Sequence, residues 1–259
     1  MELFVADLIE RFYTALWPFL RIGAMLIAVP VLSIDAVSVR IRVILTLALT
    51  LMIYPLVDWP TIDPVSAAGL SEIFNQILIG VLMGFFLQIV TAAVVLAGQA
   101  IANSMGLAMA TMVDPGIGTV PLMSQFLLIL ATLIFLGVGG HILMIGILLR
   151  SFETFPVGVA FISGANFAAL IEWSAVIFLG GILMALPILV ALLLVNIGVG
   201  VMTRAAPSLN IFAVGFPVFF LTGYAVLILS MAGIGARIQW LWMEGIERVK
   251  DFVLVPGVL

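Results

Sequence analysis

The sequence predicts an all-α membrane protein with six or seven broken hydrophobic helices. Of the 259 residues, 65% are hydrophobic and only 8% are charged, whereas soluble domains average about 25% charged residues. A chain this apolar could not cover a surface with polar groups, so it is an integral membrane protein or a subunit buried among partners. We expect a single integral-membrane domain over residues 1–259, with no separate soluble domain.

The first third of the chain predicts two hydrophobic helices. An amphipathic lead-in at residues 1–11 precedes the first hydrophobic segment, residues 12–32. Arg21 interrupts that segment, so its side chain either faces protein, water or a partner, or snorkels to the membrane interface. The second segment, residues 43–57, is short for a full span, and an acidic loop follows at residues 58–72.

The middle of the chain contains two long uncharged runs. Residues 73–113 carry no charge, and about twenty apolar residues suffice to span a bilayer. This run is therefore one span plus a re-entrant helix, or two spans that meet near Gly98. Gly80 and Gly84 form a GxxxG face that another helix can approach closely. The second uncharged run covers residues 122–149.

The C-terminal half predicts two more hydrophobic helices and a break between them. After a connection at residues 150–172, the hydrophobic segments are residues 173–195 and 216–234. The intervening residues, 196–215, are rich in helix-breaking positions, so we expect irregular backbone there. Residues 237–251 form a short amphipathic tail.

The stretch from Gly98 to Pro121 is the first candidate for a functional element. Gly98 and Ala102 are four residues apart on one helix face, and three methionines follow on a neighbouring face. The candidate residues are Met105, Gly106, Met109, Met112, Asp114, Pro115, Gly116 and Gly118. Irregular backbone at membrane depth is tolerated only where it is buried in protein or lines a water-filled cavity. A tight turn between packed helices, with methionine filling gaps, is the alternative.

Catalytic chemistry has little support in this sequence. The chain contains no cysteine and one histidine, His141, and it has no zinc-protease, nucleophile-elbow or phosphate-loop motif. Asp114 is a lone carboxylate in an apolar region, which marks either a functional acid or a turn and helix cap. We predict no enzyme activity, no cofactor and no metal site. Too few buried charges are present for a coupled ion transporter, which leaves packing, pore lining or sealing.

The second broken region resembles the FliR family, the flagellar biosynthetic proteins of the type III export gate. The matching residues between 194 and 223 are Asn196, Gly198, Arg204, Pro207, Asn210, Phe212, Gly215, Pro217 and Gly223. The predicted structural helix break consists of Asn196, Arg204, Pro207, Asn210, Gly215 and Pro217. Arg204 and Pro207 would end one helix, and Asn210 would cap the next.

The resemblance extends almost from end to end. Further matching pieces are Arg21 with Pro30, Gly98-Gln99, Met105-Gly106-Leu107, Asp114-Pro115, Gly140-His141, and Ser151-Phe152 followed by Pro156. Two positions depart from the family pattern. Ser208 stands where a glutamine commonly follows the proline, and Asn103-Ser104 stands where a glutamine commonly precedes the Met-Gly pair. Both departures leave the helix ends intact.

The resemblance implies a core subunit of the flagellar type III protein export gate. Such a subunit forms helical hairpins within a hetero-oligomer of FliP-type, FliQ-type and FlhB-type subunits in the bacterial inner membrane, at the flagellar basal body. Unfolded flagellar export substrates pass through the pore of this hetero-oligomer. Membrane lipid is a further expected partner, and nucleic acid is not. The family's plug loop maps to residues 106–121, so the resemblance implies that the candidate residues from Met105 to Gly118 form a plug and pore seal.

Two alternatives remain at this point. The equivalent subunit of a virulence injectisome, of the SctT type, shares the fold and the gating role. A small-solute membrane channel is more distant, and it would need a pore that forms without partners.

Overall fold

The computed structural model describes residues 2–31, 37–107, 122–159, 164–205 and 211–254. All regular structure within these ranges is helical. The α-helices in chain order are α1 (Glu2–Ala28), α2 (Val39–Ile53), α3 (Ala67–Ser104), α4 (Leu122–Gly137), α5 (Gly140–Thr154), α6 (Gly164–Ser174), α7 (Val176–Ala205) and α8 (Ile211–Leu254), and a 3-10 turn at Tyr54–Leu56 follows α2. The predicted all-α class is confirmed.

Several helical stretches are long and apolar enough to cross a membrane. Among the described residues they are Val39–Leu56, Ala67–Ser104, Asn166–Ala205 and Pro217–Leu254, and the bent pair α4 and α5 makes a fifth if it forms one span. The predicted first hydrophobic segment lies in α1, which is not among these four candidate spans. The charged N-terminal half of α1 and Arg21 lower the mean hydropathy of this helix.

The N-terminal helices are longer than the sequence predicts. α1 includes the predicted lead-in and continues through Pro18. α3 continues through Gly98 to Ser104 as one helix, so the alternative in which two spans meet near Gly98 is wrong. A glycine inside a helix costs about 1 kcal/mol relative to alanine, and tertiary packing of a helix this long outweighs that cost.

The C-terminal half also differs from the predicted boundaries. α5 and α6 occupy the two ends of the predicted connection at residues 150–172. α7 runs through Asn196 to Ala205, and α8 runs through Pro217 and the predicted tail. A proline near a helix start removes one hydrogen bond, which a long helix tolerates with at most a bend.

The chain divides into two compact units. The first unit comprises Met1–Ile89, Gly139–Ser174 and Glu244–Leu259, and the second comprises Val90–Val138 and Ala175–Met243. The first therefore contains α1, α2, the first part of α3, α5 and α6. The second contains the rest of α3, α4, α7 and most of α8.

Glycines bring α1 and α3 together in the first unit. A Cβ placed on Gly80 would lie 2.3 Å from the carbonyl oxygen of Arg21, and one on Gly84 would lie 2.4 Å from Cβ of Ala28. Side chains at these two positions would therefore push the helices apart. The close approach predicted from the GxxxG face is confirmed.

The second unit is held together by contacts of α3 and α4. A Cβ on Gly98 would lie 2.4 Å from Cα of Ser124, and the Ser124 hydroxyl donates to the Val95 carbonyl at 3.1 Å. The indole Nε1 of Trp242, on α8, donates to the Ala131 carbonyl of α4 at 2.9 Å. These contacts fix α3, α4 and α8 against one another within the second unit.

Candidate functional site

The C-terminal end of α3 is the first part of the candidate site. The N–H of Gly106 donates to the Asn103 carbonyl at 3.1 Å, and the N–H of Leu107 donates to the Ala102 carbonyl at 3.0 Å. Gly106 has φ of 76°. This pair of bonds and the left-handed glycine form a Schellman motif, which satisfies the last carbonyls of a helix. Gly106 therefore ends α3, at a conformation that costs glycine little.

Met105, the residue before this helix stop, is packed inside the second unit. Its side chain is fully buried. A Cβ on Gly223 of α8 would lie 2.6 Å from Cγ of Met105 and 2.9 Å from its Sδ and Cε. Met105 thus fills the space that a side chain at position 223 would need.

The remaining predicted plug residues lie outside the described residues. They are Met109, Met112, Asp114, Pro115, Gly116 and Gly118. The structure therefore locates only Met105 and Gly106 of that set, and it places both at the end of α3.

The predicted helix break is located in part. Asn196 is exposed within α7, and Arg204 is exposed in the last turn of that helix. Pro217 is exposed within α8, and Gly215 is buried there, where an added Cβ would lie 3.9 Å from Val199 of α7. Pro207 and Asn210 lie outside the described residues.

A buried polar cluster around Arg21 lies in the first unit, and the predicted site residues do not include it. The fully buried guanidinium donates from Nε to Gln76 Oε1 at 2.7 Å, from Nη1 to the Ser151 carbonyl at 2.6 Å, and from Nη2 to the Phe155 carbonyl at 2.7 Å. Its Cζ lies 4.3 Å from the centre of the Phe152 ring. Arg21 faces protein, so the snorkelling alternative is wrong.

Gln76 connects this cluster to a buried carboxylate. Its Nε2 donates to Glu72 Oε1, and Glu72 is 3% exposed. The Gln76 amide therefore lies between a buried cation and a buried anion, with its oxygen on Arg21 and its nitrogen on Glu72. A buried charge is tolerated when it is paired and hydrogen-bonded, and this chain of contacts provides both conditions.

The sequence singles out Arg21 but not these partners. An arginine in an apolar segment indicates that a partner is needed, and Glu72 with Gln76 has the i, i+4 spacing of helix neighbours. Ser151 is 130 positions away from Arg21, and no local pattern joins the two.

The long apolar helices define a multi-helix membrane protein. Residues 12–245 match the family described as "Bacterial export proteins, family 1". The match covers most of the chain, and the protein belongs to this family.

Similar proteins cover the chain almost completely. It is 36% identical over 248 residues to the flagellar biosynthetic protein FliR of Pectobacterium carotovorum subsp. carotovorum, with 95% of each chain covered. It is 34% identical over 238 residues to FliR of Escherichia coli K12, covering 92% of this chain and 91% of the relative. Identity to FliR of Bacillus subtilis 168 is 28% over 256 residues, covering 97% and 99%. The resemblance to the FliR family is confirmed.

Proposed function

We propose that this protein is a core subunit of the flagellar type III export gate in the bacterial inner membrane. The observation that carries the proposal is the 36% identity to a flagellar biosynthetic protein over 95% of both chains. The protein assembles with FliP-type and FliQ-type subunits, and with an FlhB-type subunit, at the flagellar basal body. Unfolded flagellar subunits pass through the pore of this assembly. The protein performs no covalent chemistry, and the energy for export comes from elsewhere in the apparatus.

The exposed surface supports a subunit that needs partners and lipid. Large apolar side chains on α2 and α7 are more than half exposed, for example Val39, Ile44, Leu51, Phe178, Leu194 and Val201. Exposed apolar surface on this scale is covered by membrane or protein in a functioning molecule. Membrane lipid and neighbouring subunits are the two kinds of cover that can shield this surface.

We also propose that residues 106–121 contribute the plug of the gate. Support comes from the end of α3, where the Gly106 helix stop and the buried Met105 provide a fixed attachment. Residues 108–121 carry a single charge, at Asp114. A narrow apolar constriction excludes ions by dewetting, without any selective ligand.

Co-purification tests the proposed function. We expect a tagged chain, expressed with the FliP-type and FliQ-type proteins of the same genome, to retain both in mild detergent. Expressed alone, it should aggregate or be degraded, because its apolar faces lack cover. A monodisperse, protease-resistant monomer that conducts ions in liposomes would instead identify a small-solute channel. Retention of injectisome subunits, and not of the flagellar ones, would identify the injectisome branch.

Arg204 should support assembly through the end of α7. A cation in the last turn of a helix interacts favourably with the carbonyl end of the dipole, and Arg204 is in that turn. We expect Arg204→Glu to reduce the yield of co-purified complex several-fold, whereas Arg204→Lys should retain it. Arg237→Glu, the same charge reversal within α8, is the control for charge alone. A normally assembled Arg204→Glu complex that fails to export would place this residue in the channel instead.

A further inference from the structure

We infer that Met105 and Gly223 form a seat that fixes the end of α3 on α8, and that this seat sets how well the idle gate excludes ions. The inference rests on the proposed function and adds Gly223 as a positioning residue for the seal. Gly223 belongs to α8, far along the chain from the plug, and it acts through Met105.

The seat explains why a glycine stands inside α8. Glycine is less favourable than alanine within a helix, and Gly223 is buried in the interior of this one. The Cβ of an alanine there would lie 2.6 Å from Cγ of Met105, well inside van der Waals contact. Rotation about χ2 or χ3 of Met105 leaves Cγ in place, so only a change of χ1 or a shift of the Met105 backbone relieves this overlap.

Other glycines on the same helix have no such neighbour. A Cβ placed on Gly233 or Gly235 would meet nothing within 4 Å. These positions accept alanine without any movement of a neighbouring helix. α8 therefore offers a matched pair for experiment, with one glycine that the packing requires and one that it does not.

A displacement of Met105 should be transmitted to the end of α3. The N–H of Met105 donates to the Ile101 carbonyl at 3.0 Å, and the bonds from Gly106 and Leu107 follow directly. Because these bonds hold residues 101–107 as one rigid turn, a side chain that pushes on Met105 moves the whole turn. Met105 is fully buried, so it has no solvent-filled space to enter.

The experiment measures passive ion flux across the membrane of vesicles in which the complex of this protein with FliP-type and FliQ-type subunits is inserted. We expect Gly223→Ala to raise the flux several-fold and Gly223→Val to raise it further, with Gly233→Ala equal to wild type. The amount of co-purified FliP-type subunit must be equal in the samples compared. A merely structural glycine would reduce that amount without changing the flux per assembled complex.

A compensating substitution keeps the test independent of folding. Met105→Ala removes the three atoms nearest to a Cβ at position 223, so we expect the double variant Met105→Ala with Gly223→Ala to leak less than Gly223→Ala alone. Such non-additivity is the signature of two residues in contact. If Gly223→Val does not assemble, Gly223→Ala and the double variant still provide this comparison.

The outcomes separate this inference from the proposed function. Wild-type flux in assembled Gly223→Ala, or a double variant as leaky as the sum of its single changes, would overturn the seat. Under that result the proposed function still stands if substitution of aspartate at Met109 and Met112 causes a leak. If the wild-type chain does not retain the FliP-type and FliQ-type subunits, the proposed function itself is wrong.

Discussion

Replacing Arg21 by methionine is expected to destabilise the protein by about 3–5 kcal/mol, the usual cost of removing one partner from a buried charge network. The carbonyl oxygens of Ser151 and Phe155 and the Oε1 atom of Gln76 would lose their donor. Glu72 would keep a buried negative charge without the Arg21 cation. Unfolding of the purified complex in detergent, followed by tryptophan fluorescence against denaturant, measures the loss.

A control substitution and a double substitution test the cause of this loss of stability. Arg150→Met makes the same substitution at an exposed arginine on α5, where surface changes usually remain within about 0.5 kcal/mol. Combining Arg21→Met with Glu72→Gln removes both charges, so the double variant should be less damaged than the sum of the single changes by about 0.5–3 kcal/mol. Strict additivity would show that the Gln76 amide transmits no coupling between Arg21 and Glu72.

The sequence predicts the helices better than their ends. Uncharged apolar runs identify α3 and α7, and the glycine spacing at Gly80 and Gly84 identifies a true helix contact. α3 continues through Gly98, and α8 continues through Pro217. Each of these residues costs a helix about 1–3 kcal/mol, and packing along a helix of 38 or 44 residues outweighs that cost.

In the candidate site, too, local features can be predicted from the sequence and contacts between distant residues cannot. A glycine after the last helical turn is a local signal, so the end of α3 at Gly106 can be predicted from the sequence. The contact of Met105 with Gly223, and that of Arg21 with Ser151, join residues from distant helices. Only the packed structure determines such pairs, because no sequence period relates them.

Substituting aspartate for Met109 and Met112 is expected to open a leak in an otherwise assembled gate. An idle export gate must hold back ions yet yield to a polypeptide, and flexible methionine side chains provide soft apolar bulk for that purpose. Carboxylates at both positions would hydrate the constriction and abolish exclusion by dewetting. Ion flux in vesicles should rise several-fold, whereas Met109→Leu with Met112→Leu should remain close to wild type.

A variant in which the whole plug is replaced must keep the helix stop at the end of α3. Deleting from Gly106 onward would remove the glycine that stops α3, since its φ of 76° and its bond to Asn103 form that stop. Residues 108–121 should therefore be exchanged for a Gly/Ser linker of equal length, which keeps the helix stop and supplies a flexible, hydrated chain. We expect this variant to assemble and to leak more than the aspartate pair. An assembled linker variant with wild-type conductance would locate the seal in another subunit, and residues 108–121 would then be a packing turn.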